Sequence, residues 1–317
     1  MSNWDKRYTD RVQLLVEILP LLASEPNFAL KGGTAINLFE HDLPRLSVDI
    51  DLTWLPVDSY AQGLQDIGAA FERLAKRLVA VPLRLQVQTS ATQGTGTVTR
   101  LIASRGRARV QIETSPVMRG AVHPVRQMHV SHQVEDAFGF ASAQVLDFAD
   151  LYAGKMAAAL SRQHPRDLFD LGAMLQDDRA NEQLWRTFLV YLSCSPKPAW
   201  ELLDPAEPQG FGAIFESHFN GMTAQPTSVE ELLVNRRQLL SRMAGWLDAP
   251  SIAFLESLED ENPDFELIGL PHALDLPGVQ RKLQNLGQRS GEKRTADRQR
   301  LDEALERTVD NSATRST

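Results

Sequence analysis

Asp49 and Asp51 are separated by one apolar residue in the stretch LKGGTAINLFEHDLPRLSVDIDL, which runs from Leu30 to Leu52. Successive side chains of a strand point to opposite faces. An extended chain here puts Ser47, Asp49 and Asp51 on one face and Val48, Ile50 and Leu52 on the other. The apolar face belongs on a core. The other presents two carboxylates that repel unless something neutralises them. A divalent cation does this: Mg2+ takes oxygen ligands and is held by one or two carboxylates together with substrate phosphates, and Mn2+ suits the same donors.

Gly32 and Gly33 precede a short helix read over 34–40. Without a Cβ they let a phosphate come close to the backbone, and N–H groups at a helix start attract an anion. Lys31 and Arg45 flank this turn and add positive charge. A glycine turn, a helix and an Asp-x-Asp strand can together cradle a metal-bound triphosphate. Taken singly, each part has a plainer reading: a turn, a solvated strand face. A phosphoryl-transfer site usually needs a third carboxylate from a neighbouring strand. Glu113 in RVQIET is the candidate, sharing a face with Gln111; the alternative is a solvent-facing edge glutamate.

Further chemistry-bearing residues lie in the second half. Lys155 in DLYAGKMAAALSR sits at the edge of an apolar helix face, either as a point charge for a phosphate or as a lysine that snorkels to solvent. Pro165 suits the first position of the next helix. Asp167 and Asp170 then share one face, with Arg166 four residues before Asp170. Asp167 could equally complement the helix dipole, and Arg166 and Asp170 could be a surface pair. Six arginines (100, 105, 107, 109, 119 and 126) suggest either a track for a phosphate backbone or ordinary solvent-facing side chains. His41, His123 and His164 show no metal-ligand spacing.

The elements that must position these residues follow from periodicity. Apolar residues at helical spacing predict helices over 5–24 and 59–79. Alternation predicts strands over 46–54, 83–89, 96–103 and 107–114, and a short one near 125–131. The expected fold is α+β: a mixed sheet with flanking helices over 1–140, then an α-helical domain over 141–287 that completes the active site. Helices are read over 147–162, 165–176, 179–194 and 228–246, with a Pro- and Gly-rich loop at 195–227 and short helices joined at prolines over 254–287. Residues 288–317 carry much charge and little apolar content and are read as a disordered tail, with a transient helix over 302–309.

Composition bounds the partners. The chain has 317 residues, 43% hydrophobic and 23% charged, with a formal net charge of −8. Any nucleic-acid contact must therefore come from a local patch. A single cysteine, Cys194, excludes an intramolecular disulfide framework and a Cys-rich zinc site. The N-terminal residues lack a basic head followed by an apolar core, and no apolar run is long enough for a bilayer, so a cytoplasmic protein without a membrane partner is expected.

Taken together, Gly-Gly-Thr-Ala at 32–35, Arg-x-Ser-x-Asp-x-Asp-Leu at 45–52, Lys155, and Arg-Asp-x-x-Asp-Leu at 166–171 resemble the nucleotidyltransferase superfamily. More narrowly, they resemble the AbiEii/AbiGii toxins of type IV toxin–antitoxin (abortive infection) systems. The segment NPDFELIGLPHALDLPGVQRKLQNL is also similar to the closing segment of that family, so the resemblance runs from about 28 to about 287. It implies a nucleotidyltransferase-like domain and transfer of nucleotides from an NTP to an RNA, the tRNA 3′ end, which would block translation. A cognate antitoxin is a further implied partner. Asp49, Asp51, Lys155 and Asp167 are then the catalytic candidates, and Asp49, Asp51 and Glu113 the ligands for Mg2+ or Mn2+. Gly32, Gly33, Thr34, Arg45, Ser47, Lys155, Arg166 and Asp170 are the candidates for holding the nucleotide.

Two other readings stand beside this one. HPRDLFD contains the His/Arg/Asp types of a kinase catalytic loop, but that loop needs an Asn where the chain has Gly172. A degenerate copy serving as a binding or regulatory subunit would be expected to have lost a glycine or a metal carboxylate, and the chain keeps both pairs.

Overall fold

A computed structural model describes residues 4, 6–92 and 94–313. Asp5, the expected start of the first helix, and 314–317, the end of the expected tail, lie outside the described residues. The chain forms two compact units, one of residues 1–147 and 220–226, the other of 148–219 and 227–317.

The first unit begins with α1 (Lys6–Leu22) and β1 (Phe28–Lys31). The glycines open α2 (Gly32–Ala35), which runs on as a π-helical turn over Ile36–Glu40. Then come β2 (Asp49–Trp54), α3 (Tyr60–Val79), β3 (Gln86–Ala91), β4 (Val98–Arg105), β5 (Ala108–Thr114), β6 (Arg126–His129), α4 (His132–Phe138) and β7 (Ser142–Val145). The strands make one mixed sheet of seven, ordered β3-β4-β5-β2-β1-β7-β6. β2 lies parallel to β5 and antiparallel to β1, so the Asp-x-Asp strand is central.

Alternation along these strands sorts the faces. Ile50, Leu52, Leu101, Ala103, Val110 and Ile112 are buried on one face, where α1 packs on β5 and α3 on β3 and β4. α3 starts at Ser59, whose hydroxyl accepts the Gln62 N–H, and buries Ile67, Phe71, Leu74 and Leu78 along one stripe. Phe28 bridges Trp54 and Phe71 in edge contacts with centroids at 4.9 and 5.5 Å. Truncating Phe71 to alanine there would cost about 3–5 kcal/mol.

Of the six arginines, Arg100, Arg105, Arg107 and Arg109 are exposed, whereas Arg119 is not. Arg119 is buried and donates to the carbonyl oxygens of Asp58 and Ser59. Arg100, Arg105 and Arg126 pair with Glu113, Glu17 and Glu40.

The second unit is helical. It contains α5 (Phe148–Arg162), α6 (Pro165–Met174), α7 (Glu182–Ser193), α8 (Ala199–Leu203), α9 (Phe211–His218), α10 (Val229–Trp246), α11 (Ala249–Glu259), two 3-10 turns (Phe265–Ile268 and Pro271–Asp275), α12 (Pro277–Gly287) and α13 (Gly291–Ala313). Tyr152 of α5 and Trp185 and Phe188 of α7 are among its fully buried side chains. The segment read as a loop holds α8 and α9.

The segment read as a disordered tail carries α13 instead. Its apolar residues are few, but Leu301, Ala304, Leu305 and Thr308 fall on one helical stripe and are buried. α13 packs on α8, α10 and α11, and Arg298 bridges to Glu256 and Asp260 of the α11 end at 2.8 and 3.1 Å. Low apolar content therefore does not exclude folding when a partner face meets the stripe.

Candidate active site

The glycine turn joins β1 to α2. Gly32 has φ +72°, a backbone shape that favours glycine. A Cβ at Gly32 would lie 2.6 Å from Asp51 Oδ2, and one at Gly33 would lie 2.6 Å from Arg45 Nη2 and 3.0 Å from Ser47 Oγ. Gly32 is thus fixed by its dihedral and by the approach of Asp51, while the neighbours of Gly33 are the side-chain ends of Arg45 and Ser47.

Thr34, Arg45 and Ser47, expected to contact a nucleotide, lie behind this turn at 1%, 2% and 8% exposure. Thr34 Oγ1 is 2.5 Å from the Asp49 carbonyl oxygen and 3.0 Å from Ser47 Oγ, tying α2 to the start of β2. Asn37 donates to the Gly33 carbonyl at 2.8 Å. Arg45 donates to the Leu46 carbonyl at 2.9 Å. A short strap from the 220–226 segment pins this loop: Leu46 N–H donates to Met222 and Ala224 N–H to Pro44, both at 2.9 Å.

Asp49 and Asp51 share the face of β2 opposite Ile50 and Leu52. Register extends that face across four strands. Lys31 of β1 pairs with Asp51, Asp51 with Glu113 of β5, and Glu113 with Arg100 of β4, giving the row Lys31–Asp51–Glu113–Arg100. Residues directly opposite on neighbouring strands have their side chains side by side, so this row places two carboxylates between two cations. Arg100 Nε donates to Glu113 Oε2 at 2.8 Å. In the next row Asp49 lies beside Gln111, and Arg11 of α1 reaches Asp49 Oδ1 at 3.5 Å. Burial pushes the Lys31 ammonium below the usual lysine range, against the attraction of Asp51 and Glu113.

Asp49 and Asp51 carry oxygen donors of the type that could hold a Mg2+-type ion. Glu113 stands in register with Asp51 but is turned onto Arg100, and no group of three acidic, histidine or cysteine residues among the described residues is arranged to hold a metal. In this arrangement Asp49 and Asp51 are the acids of that face not bonded to Arg100.

The second unit carries its own charged cluster. Lys155 of α5 is 7% exposed and sits 2.8 Å from Asp170 Oδ2 and 3.2 Å from Asp167 Oδ1. Arg162, seven residues further along α5, grips both oxygens of Asp167 at 2.7 and 3.0 Å. Burial pushes the Asp167 carboxyl up, but the Lys155 ammonium and Arg162 guanidinium outweigh it and hold the group below the usual range. Lys155 is therefore a buried, paired lysine, and Asp167 does more than complement a helix dipole. Arg166 donates to the His218 carbonyl at 3.2 Å. His164 caps α6, its Nδ1 accepting the Arg166 N–H at 3.2 Å just before Pro165. Burial lowers its pKa to about 4, so the ring is neutral and can accept.

Three members of these clusters were missed as such from sequence. Arg162 had a readable signal, since residues seven apart share a helix face. Arg11 had none, because α1 meets β5 only through the tertiary fold. Lys31 was read as a flanking charge, and the row that joins it to Asp51 and Glu113 depends on β1, which was not foreseen.

Comparison with known proteins follows the same motifs. The family model described as "Nucleotidyl transferase AbiEii toxin, Type IV TA system" matches residues 13–285. Among solved structures, MenT4, a nucleotidyltransferase toxin from Mycobacterium tuberculosis H37Rv, is similar with TM-score 0.57 at 16% identity, over 89% of this chain and 95% of that one. That likeness shows a shared fold. No curated protein matched. The match to the family model spans the glycine turn, the Asp-x-Asp strand and the Lys155–Asp167 cluster, and the chain belongs to the AbiEii nucleotidyltransferase toxin family of type IV toxin–antitoxin systems.

Proposed function

We propose that this chain transfers a nucleotidyl group from an NTP to the 3′ hydroxyl of an RNA, with tRNA as the acceptor, and so blocks translation. The observation that carries the reading is the approach of Gly32 to Asp51, with Asp49 on the same strand face. It sets the two carboxylates of one strand face beside the glycine turn. In the reaction, the acceptor oxygen forms a bond to the α-phosphorus, the bond to pyrophosphate breaks, and the hydroxyl proton is lost.

Asp49 and Asp51 would hold a divalent ion, Mg2+ or Mn2+; when bound, it neutralises phosphate charge and favours ionisation of the attacking hydroxyl. The backbone at Gly32 and Gly33 would receive phosphate oxygens, and the brace of Thr34, Arg45 and Ser47 would hold that backbone in place. The charge of Lys155, fixed by Asp167 and Asp170, would act on the triphosphate. A cognate antitoxin and a cytoplasmic setting go with this reading. No described helix is long and apolar enough to cross a membrane.

The test is incubation of the protein with each labelled NTP and total RNA in the presence of Mg2+. Labelling of the tRNA fraction at its 3′ end is expected. Absence of labelling with every NTP, or equal labelling by the Asp49→Ala/Asp51→Ala double variant, would refute the assignment.

A further inference from the structure

The carboxylate face carries a cation for each acid. Asp49 has Arg11 at 3.5 Å, Asp51 lies opposite Lys31, and Glu113 is bonded to Arg100 at 2.8 Å. The Arg100 contact is shorter than the Arg11 contact, and it falls on the residue best placed to be a third ligand. Glu113 is in register with Asp51 on the neighbouring parallel strand, and neighbouring strands lie about 5 Å apart, which puts both residues within reach of a shared ion. Its carboxylate nonetheless turns to the opposite neighbour. Arg100 and Glu113 are a directly opposed cross-strand pair, and both are partly open to water, at 49% and 33% side-chain exposure. A pair of this kind is weak and exchangeable, unlike the buried Lys155 cluster.

We infer that Arg100 is a positioning residue that withholds Glu113 from the metal set. The aspartate pair then binds a free divalent ion only weakly, and the ion is taken up chiefly together with the triphosphate that supplies the missing oxygens. This inference rests on the metal-dependent reading above. An oxygen donor in reach of the site but bonded to an internal cation contributes nothing until that bond is given up. Removing the cation frees the donor, and an added carboxylate ligand raises affinity for a hard divalent ion. A role for Arg100 confined to sheet stability would weaken the fold slightly and would not tighten metal binding.

The experiment is a Mn2+ titration of the full chain, following the free-ion electron paramagnetic resonance signal, without and with a non-hydrolysable NTP analogue. For Arg100→Gln, binding of free Mn2+ should tighten by up to about fivefold, which corresponds to the roughly 1 kcal/mol that such an exposed pair can hold back. The gain should shrink once the analogue is present. Arg100→Gln/Glu113→Gln should return to the value of Glu113→Gln alone, and Arg100→Lys should behave as wild type. If Arg100→Gln binds Mn2+ no more tightly than wild type while Asp49→Asn/Asp51→Asn abolishes binding, the inference about Arg100 fails and the metal site stands. If Asp49→Asn/Asp51→Asn leaves Mn2+ binding unchanged, the metal reading fails and the inference with it.

Discussion

Replacing Lys155 by methionine separates what that residue does for the fold from what it does for the reaction. Its ammonium lies 2.8 Å from Asp170 and 3.2 Å from Asp167, and all three side chains are at most 7% exposed. At about 3 Å and an effective dielectric constant of about 20, each contact is worth roughly 5 kcal/mol before desolvation is subtracted. Breaking a buried pair from one side costs about 3–5 kcal/mol, because the remaining charge stays buried. Asp167 keeps Arg162 at 2.7 Å, and Asp170 loses its 2.8 Å contact with the ammonium. Lys155→Met is therefore expected to destabilise by about 3–5 kcal/mol. Adding Asp170→Asn should recover about 2 kcal/mol, because it takes away a buried carboxylate that has lost its 2.8 Å contact with Lys155.

The assay is urea unfolding followed by tryptophan fluorescence, with the fully buried Trp185 of the same unit as reporter. The double variant should be more stable than Lys155→Met and, under the proposed role of Lys155 toward the triphosphate, still fail to transfer nucleotides. If the two substitutions are additive within about 0.5 kcal/mol, the buried-pair account is wrong. If the double variant is active, Lys155 has no part in the chemistry.

Two further outcomes follow from the geometry. Gly32→Ala forces a Cβ to within 2.6 Å of Asp51 Oδ2 at φ +72°, so it should cost about 1–2 kcal/mol in backbone strain and lower transfer more than stability. Thermal melts and a transfer assay on the same samples check this, and near-normal activity would contradict it. For His164, the folded pKa of about 4 lies below the usual 6.5. Between those values the unfolded chain holds one more proton than the folded one, so stability is lost as pH falls through that window. The loss is at most about 3 kcal/mol. His164→Asn retains a capping side chain without a proton to bind, and its unfolding midpoint should depend less on pH from 6.5 to 4 than that of wild type.

Much of the first unit was legible because its strands alternate cleanly, as in RVQIET, where Val110 and Ile112 are buried and Gln111 and Glu113 are not. The Asp-x-Asp strand and the glycine turn were local patterns and could be read as such. β1 escaped notice because only four residues, FALK, form it, and three of them are buried, which leaves little alternation to detect. Other features depend on distant pairing. Arg45 looked like a charge beside the site, but the strap at Met222–Ala224 and the turn at Gly33 enclose it. The pairing of Arg100 with Glu113 was not readable, because it depends on the register of β4 with β5. The order of α13 was hidden because a narrow stripe needs the faces of α8, α10 and α11 to become a core.

The central claim is that Asp49 and Asp51 serve transfer of a nucleotidyl group. The most direct measurement supplies RNA with NTP labelled at either the α- or the γ-phosphate, using wild type and Asp49→Asn/Asp51→Asn. The account predicts that wild type moves the α-label to RNA and never the γ-label, and that the double variant moves neither. Transfer of the γ-label, or α-label transfer that survives loss of both aspartates, would contradict it.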